Sequence, residues 1–288
     1  MLQRLLGDIP VADFLRNRFH RLPFAYANAR SDWVALAEWS TAASILQQPS
    51  LDLLIGRPEG RWPGTTVPTP EEARALMAEG YTLSIRHAER HDPGIAAIAE
   101  SFRRDFAAPI DVQLFCTPAH APGFGWHYDP EDVFVLQTQG SKHWELRKNT
   151  VNPWPLIEAI PQNMRYEREI MPLMRCTLAV GDWLYIPGGY WHRTQAADVE
   201  SISLSVGVLS PNGIDAFDFL RTKLLDSLQW RQRLPTVGEA QAGTDEDLRK
   251  RFHEMFAALA EDAAKTLTRD EFIDSWIARQ RSAMAPPH

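Results

Sequence analysis

His127-Tyr128-Asp129 and, 65 residues further on, His192 place two imidazoles and one carboxylate in a spacing that can do metal chemistry. Two histidines and one carboxylate can occupy one face of an octahedral ion and leave the opposite face open, a pattern that points to non-haem Fe(II). Residues i and i+2 of an extended segment project to the same side, so His127 and Asp129 point together. The third ligand must return from a neighbouring strand, and His192 closes the run Gly181-Asp182-Trp183-Leu184-Tyr185-Ile186-Pro187-Gly188-Gly189-Tyr190-Trp191-His192.

The elements that must position these groups begin at Ile110, where the apolar period becomes that of strands. Val112 to Cys116, Val133 to Gln137, His143 to Leu146, Cys176 to Val180 and Trp183 to Ile186 are short strands separated by Gly, Pro and Asp turns, which predicts a barrel or sandwich. From Ser201 to Leu209, Ile202, Leu204, Val206 and Val208 alternate with Ser201, Ser203, Ser205 and Gly207. A face of serine and glycine leaves volume and hydroxyl donors for a polar ligand, or else faces solvent.

Residues 1–110 read as mixed, mostly helical packing. Asp13 to His20 and Asp32 to Leu46 carry apolar residues near helical spacing. Pro58 to Pro70 is a loop, Thr69 and Glu72 form a capping box with Pro70 at the first helical position, and a further helix runs from about Pro93 to Phe106. After Pro211 the helical period returns over Ile214 to Leu228 and Asp245 to Leu259, with a Thr268/Glu271 capping box ahead of a last helix and a linker at Gly238 to Gly243. The expected division is a domain over 1–210 and a C-terminal helical region over 211–288.

The chain has 288 residues, 44% hydrophobic, and its 30 basic against 37 acidic residues give a net charge of -7. It is long enough for a substantial core, and its charge offers no broad attraction to nucleic acid or anionic lipid. No stretch is apolar and long enough to span a membrane, so a cytoplasmic protein is expected. Cys116 and Cys176 form no CxxC pair and are read as buried thiols. His87-Ala88-Glu89 repeats the His-x-carboxylate spacing, but it precedes the strand block and sits in a charged run from Arg86 to Asp92, the usual sign of solvated surface. Trp126, Tyr190 and Trp191 flank the candidate ligands and either line a substrate mouth or pack. Asp132 is read as a turn or capping residue.

The run from His127 through Asp129, Val133, Gln137, Gly140 and Lys142 to Trp144, continued by Gly181 to Pro187 and His192, resembles the JmjC-type oxygenases of the cupin superfamily, and within them the ribosomal oxygenase branch. The resemblance covers residues 110–210. It implies a mainly β fold with helical flanks: a double-stranded β-helix core with N-terminal helices and a C-terminal helical segment. It also implies Fe(II) held by His127, Asp129 and His192, with 2-oxoglutarate and O2 as cosubstrates, and hydroxylation of an amino-acid side chain of a protein or peptide with release of succinate and CO2.

In that register Lys142 pairs with the distal carboxylate of 2-oxoglutarate, whereas the residues alone suggest a solvated lysine on a turn. Gln113 and Phe115 stand where related enzymes often have an Asn and a Tyr facing the cosubstrate. The phenol is absent here, and Thr117 or Ser205 would supply a hydroxyl instead. The branch suggests a ribosomal protein as partner. Trp230, Phe252, Phe256, Phe272 and Trp276 offer apolar helix faces for a homodimer. Two other readings remain open at this point: a metal-dependent cupin enzyme that does not use 2-oxoglutarate, and a non-catalytic peptide-binding module.

Overall fold

In the computed structural model, which describes residues 1–27, 33–160, 174–238 and 244–282, the strand-period segments build two antiparallel sheets. The strands are β1 (Phe24–Tyr26), β2 (Asp52–Arg57), β3 (Gly60–Arg61), β4 (Thr82–Arg86), β5 (Ile110–Thr117), β6 (Asp132–Gln139), β7 (Lys142–Arg147), β8 (Met174–Leu178), β9 (Trp183–Ile186), β10 (Trp191–Ala196) and β11 (Ser201–Val208). The major sheet has the order β1-β9-β6-β11-β5-β4-β2-β3, and the minor sheet β10-β7-β8. This is the jelly-roll core expected from the sequence.

The alternation on β11 explains how the sheet faces differ. Ile202, Leu204, Val206 and Val208 are buried in the main core with Val112, Leu114 and Phe134, and each such side chain contributes about 1.5–3 kcal/mol. The opposite face carries Ser201, Ser203, Ser205 and Gly207, in register with Thr117, Phe115, Gln113 and Asp111 of β5.

Helices α1 (Leu2–Leu6), α2 (Val11–Asn17), α3 (Trp39–Leu46), α4 (Pro70–Ala78) and α5 (Pro93–Phe106) flank the core, and α5 buries Ile95, Ile98, Ala99 and Phe102. The Thr69/Glu72 capping box and the helix from Pro93 to Phe106 are as expected. The region before Ile110 is nonetheless less helical than its sequence suggests, because β1, β2 and β4 extend the major sheet. The segment expected as one helix to Leu46 also breaks. Val34–Leu36 is a single 3-10 turn, Ala37 is extended, and α3 starts only at Trp39, where Glu38 and Thr41 form a capping box; Asp32 lies outside the described residues.

Met1–Ser210 and Pro211–His288 are two compact units. The second contains α6 (Gly213–Leu224), α7 (Asp245–Leu267) and α8 (Asp270–Ser282), with Leu220, Leu224 and Phe272 as its core. Thr268 does not cap α8: it ends α7, and its hydroxyl donates back to the Ala264 carbonyl at 3.0 Å. Residues 239–243 of the expected linker lie outside the described residues. Cys116 is buried, but Cys176 is only half-buried because β8 is an edge strand; both thiols are free. No described helix is long and apolar enough to cross a membrane.

Candidate metal centre

His127, Asp129 and His192 converge between the two sheets, each offering a donor atom within 4.8 Å of the others. His192 lies on β10 of the minor sheet, while residues 127–131 lead into β6 of the major one. His127 and His192 form an isolated antiparallel bridge: the His127 N–H donates to the His192 carbonyl at 3.0 Å, and the His192 N–H donates to the His127 carbonyl at 2.8 Å. The third group is held from the 187–190 turn, where the Gly189 N–H donates to the Asp129 carbonyl at 2.7 Å.

Both rings are oriented by the same local device. His127 Nδ1 lies 3.0 Å from the Gly125 carbonyl and His192 Nδ1 lies 3.0 Å from the Tyr190 carbonyl, each two residues back in the chain. A carbonyl only accepts, so each Nδ1 carries the proton and each Nε2 keeps its lone pair, the tautomer a metal ligand needs. His192 Nε2 lies 3.5 Å from Asp129 Oδ2. Burial, followed by the neighbouring His127, holds His192 below the usual histidine range and so keeps it neutral. The donor set fits a divalent ion of the kind bound by two histidines and a carboxylate.

These three residues open onto a cavity of about 160 Å³ lined by Gln113, Thr117, Lys142 and Ser205, so every site residue picked from the sequence borders one space. Ser203 and Gly207 line it too, which makes the serine-glycine face of β11 a cavity wall rather than a solvent face. Lys142, at the start of β7, is 3% exposed and donates to the Thr117 hydroxyl at 3.2 Å. Among the described residues no carboxylate lies within salt-bridge distance of its ammonium. Burial lowers its pKa from 10.5 to about 8. A buried cation without an anion is costly, and this cavity would supply the anion from a ligand.

Gln113 donates to Asp111 at 3.3 Å and accepts from Ser84 at 3.1 Å. Phe115 stands 5.8 Å from the Lys142 ammonium, ring centre to nitrogen, and has no hydroxyl to offer a ligand there. The aromatic wall consists of Phe115, Phe124 and Trp144, whereas Trp126, Tyr190 and Trp191 are not among the lining residues. Trp191 instead packs edge-on against Tyr128 at 4.8 Å.

Two groups were missed in the sequence. Glu131, which lines the cavity two residues beyond Asp129, has its carboxyl pushed above the usual range by burial and then by Asp129. Its signal was the continued alternation His127, Asp129, Glu131. Asp132 is more than a turn residue: it is buried, accepts from the Tyr185 hydroxyl and lies 2.7 Å from His20 Nδ1. The His87-Ala88-Glu89 motif, set aside in the sequence, does gather with Asp111 into a second group of possible donors. There one Glu89 oxygen is committed to the Val112 N–H at 3.0 Å and His87 Nδ1 to Asp111 at 2.6 Å.

A family model for the JmjC domain matches residues 86–216, which includes the three converging residues and the cavity wall. This stretch of the chain is similar to the JmjC domain. The chain is 30% identical over 139 residues to a bifunctional lysine-specific demethylase and histidyl-hydroxylase NO66 of Dictyostelium discoideum, covering 46% of this chain and 26% of that protein. It is 31% identical over 141 residues to ribosomal oxygenase 1 of Gallus gallus, covering 45% of this chain and 23% of that protein. The NO66 protein of Drosophila yakuba aligns along 100% of the chain at 26% identity, over 45% of its own length. The chain thus spans less than half the length of these curated relatives. Among solved structures, Escherichia coli YcfD, a ribosomal oxygenase in complex with cobalt and 2-oxoglutarate, superposes with a TM-score of 0.63 at 20% identity, covering 96% of this chain and 71% of that one. The chain therefore shares the fold of that structure.

Proposed function

We propose that the chain is an Fe(II)- and 2-oxoglutarate-dependent oxygenase that hydroxylates an amino-acid side chain of a protein or peptide. The observation that carries this reading is Lys142, a buried ammonium with no carboxylate partner among the described residues, on the wall of the cavity onto which His127, Asp129 and His192 converge. When bound, the iron with O2 and the 2-oxo acid supplies the oxidising power to place one oxygen atom in a C–H bond, with succinate and CO2 as coproducts.

The chain's own residues prepare the space. His127, Asp129 and His192 would hold the ion on one face and leave the other free. Lys142 and Thr117 would bind the distal carboxylate through a charge-assisted and a neutral hydrogen bond, with Ser205 and Gln113 on the adjoining wall. Phe115, Phe124 and Trp144 exclude water from the reacting centre. The relatives' names support a protein substrate, a ribosomal protein among them. We also propose a cytoplasmic protein that pairs through its C-terminal helices, where Ile214, Phe217, Phe256 and Ile277 are exposed. A monomeric mass by light scattering across a dilution series would remove the pairing.

The test is an anaerobic titration of the Fe(II)-loaded protein with 2-oxoglutarate, following the visible charge-transfer band in the wild type, Lys142→Ala and His192→Ala. The expected result is a saturable band that weakens in the first variant and vanishes in the second. Bound iron with no band would sink the reading in favour of a metal-dependent cupin. No bound iron would favour a peptide-binding module.

A further inference from the structure

Strand alternation on β7 turns Lys142, Trp144 and Leu146 inward and His143, Glu145 and Arg147 outward. On that outer face of the minor sheet one row runs straight across: Arg193 of β10 is in register with Glu145 of β7, and Glu145 with Arg175 of β8. The central carboxylate holds both guanidiniums. Arg193 donates from Nε to Glu145 Oε2 at 2.6 Å and reaches the same oxygen from Nη2 at 2.5 Å, and Arg175 Nε lies 3.0 Å from Oε1. Neighbouring strands are spaced about 4.8 Å, so the row sets two guanidinium-bearing residues about 10 Å apart at their backbones. Their side chains stay 50% and 71% exposed.

One carboxylate shared between two guanidiniums leaves a surplus of positive charge, and each guanidinium has five N–H donors. Arg147 and the exposed Lys148 add two more positive charges at the end of β7, while Glu145 is the only acid among the described outward-facing residues of these three strands. The chain's net charge of -7 therefore conceals a local basic face. This face also has a flat aromatic neighbour: the Arg193 guanidinium lies 5.1 Å from the ring centre of the half-buried Trp126. Phosphate accepts guanidinium N–H groups in pairs, and a base stacks on an indole or guanidinium plane. An acidic polypeptide would match the charge and leave that plane unused.

We propose that the outer face of the minor sheet binds single-stranded nucleic acid, with Arg175 and Arg193 on the phosphate backbone and a base on the Trp126–Arg193 plane. Trp126 and Arg193 adjoin His127 and His192 in the chain, so the bound strand lies on the far side of the sheet from the cavity and does not depend on the chemistry inside it. The test is fluorescence anisotropy of a labelled single-stranded RNA of about 12 nucleotides, titrated with the full chain at rising salt. Affinity is expected to fall with salt. The pair Arg175→Gln and Arg193→Gln should weaken binding at least about tenfold and flatten the slope of log affinity against log salt by about 1.4, as for two lost phosphate contacts on a single strand. Trp126→Leu should weaken it about fivefold or more with the slope unchanged, as for a lost stacking contact. Arg249→Gln with Lys250→Gln, the same change of net charge on exposed α7 positions, should bind like the wild type. Far-UV circular dichroism verifies that each variant is folded. No binding by the wild type, an equal loss in the α7 pair, or full binding by the Arg175 and Arg193 pair overturns the proposal. Polyglutamate bound as tightly as the RNA and through the same two arginines would also overturn it, in favour of an acidic polypeptide.

Discussion

His127 and His192 hold each other by two backbone hydrogen bonds of 3.0 and 2.8 Å, with their rings 4.2 Å apart. This local bridge lets the two sheets present one pair of imidazoles, because each backbone fixes the other and each Nδ1 is already spent on a carbonyl. Replacing either ring removes a donor from a set of three. Loss of an outer-shell partner alone costs about 10–100-fold in metal affinity, so His192→Ala is expected to weaken Fe(II) binding by more than about 100-fold. Equilibrium dialysis with metal analysis checks this, and wild-type-like retention would remove His192 from the ligand set.

The turn that ends at His192 also fixes the position of Asp129. A Cβ on Gly188 would stand 2.6 Å from the Pro130 carbonyl and 3.3 Å from that of Glu131, so any side chain there pushes the 129–131 segment away. Gly188→Ala is expected to destabilise the fold by about 1–3 kcal/mol and to weaken metal binding in parallel. Urea denaturation and metal titration of the same variant test it. Loss of stability with unchanged metal affinity would mean that the turn does not position Asp129.

The metal residues were legible because their spacing is a local property: His127 and Asp129 share a side by strand alternation, and the Gly-rich turn leads straight to His192. Lys142 needed the family register, since nothing local distinguishes a buried lysine from a solvated one after a glycine. Glu131 continues the alternation of His127 and Asp129, but a glutamate after Pro130 reads equally as turn surface, and the approach of Gly207 from another strand is what places it inside. The strands β1, β2 and β4 were missed because they are short and their partners are distant in sequence, as when Leu83 pairs with both Ile55 and Cys116. Helix α3 was drawn too long because helical spacing alone does not reveal that Glu38 starts the helix.

Asp132 and Tyr185 tie the start of β6 to β9 and to the N-terminal segment. The Tyr185 hydroxyl donates to Asp132 and accepts the His20 N–H at 2.7 Å, so Tyr185→Phe leaves a buried carboxylate with one donor fewer. The expected cost is about 1–3 kcal/mol, read as a lower urea midpoint with an unchanged slope. A variant as stable as the wild type would show that His20 alone satisfies Asp132.

Lys142 should make ligand affinity and stability respond to pH in opposite directions. Its ordinary pKa of 10.5 falls to about 8 in the folded chain, chiefly by burial. Below about 8 it is charged in both folded and unfolded states, and the folded state bears the full cost of a buried cation, about 3 kcal/mol at one tenfold step per pH unit. Between about 8 and 10.5 the unfolded chain holds more protons, so this contribution stabilises the fold as pH rises. Lys142→Met removes the charge while keeping the apolar stem, and it should raise the stability of the ligand-free protein at pH 7 by about 1–3 kcal/mol, an advantage that shrinks toward pH 10. The 2-oxo acid has the opposite requirement, since its carboxylate needs the charged form. Its affinity should fall above pH 8, by up to about tenfold per unit, and should be lost in Lys142→Met. Thermal unfolding and 2-oxoglutarate titration across pH 6.5 to 10 test both arms. A Met variant less stable than the wild type at pH 7, or an affinity flat across that range, would mean that the buried ammonium already has its anion within the chain.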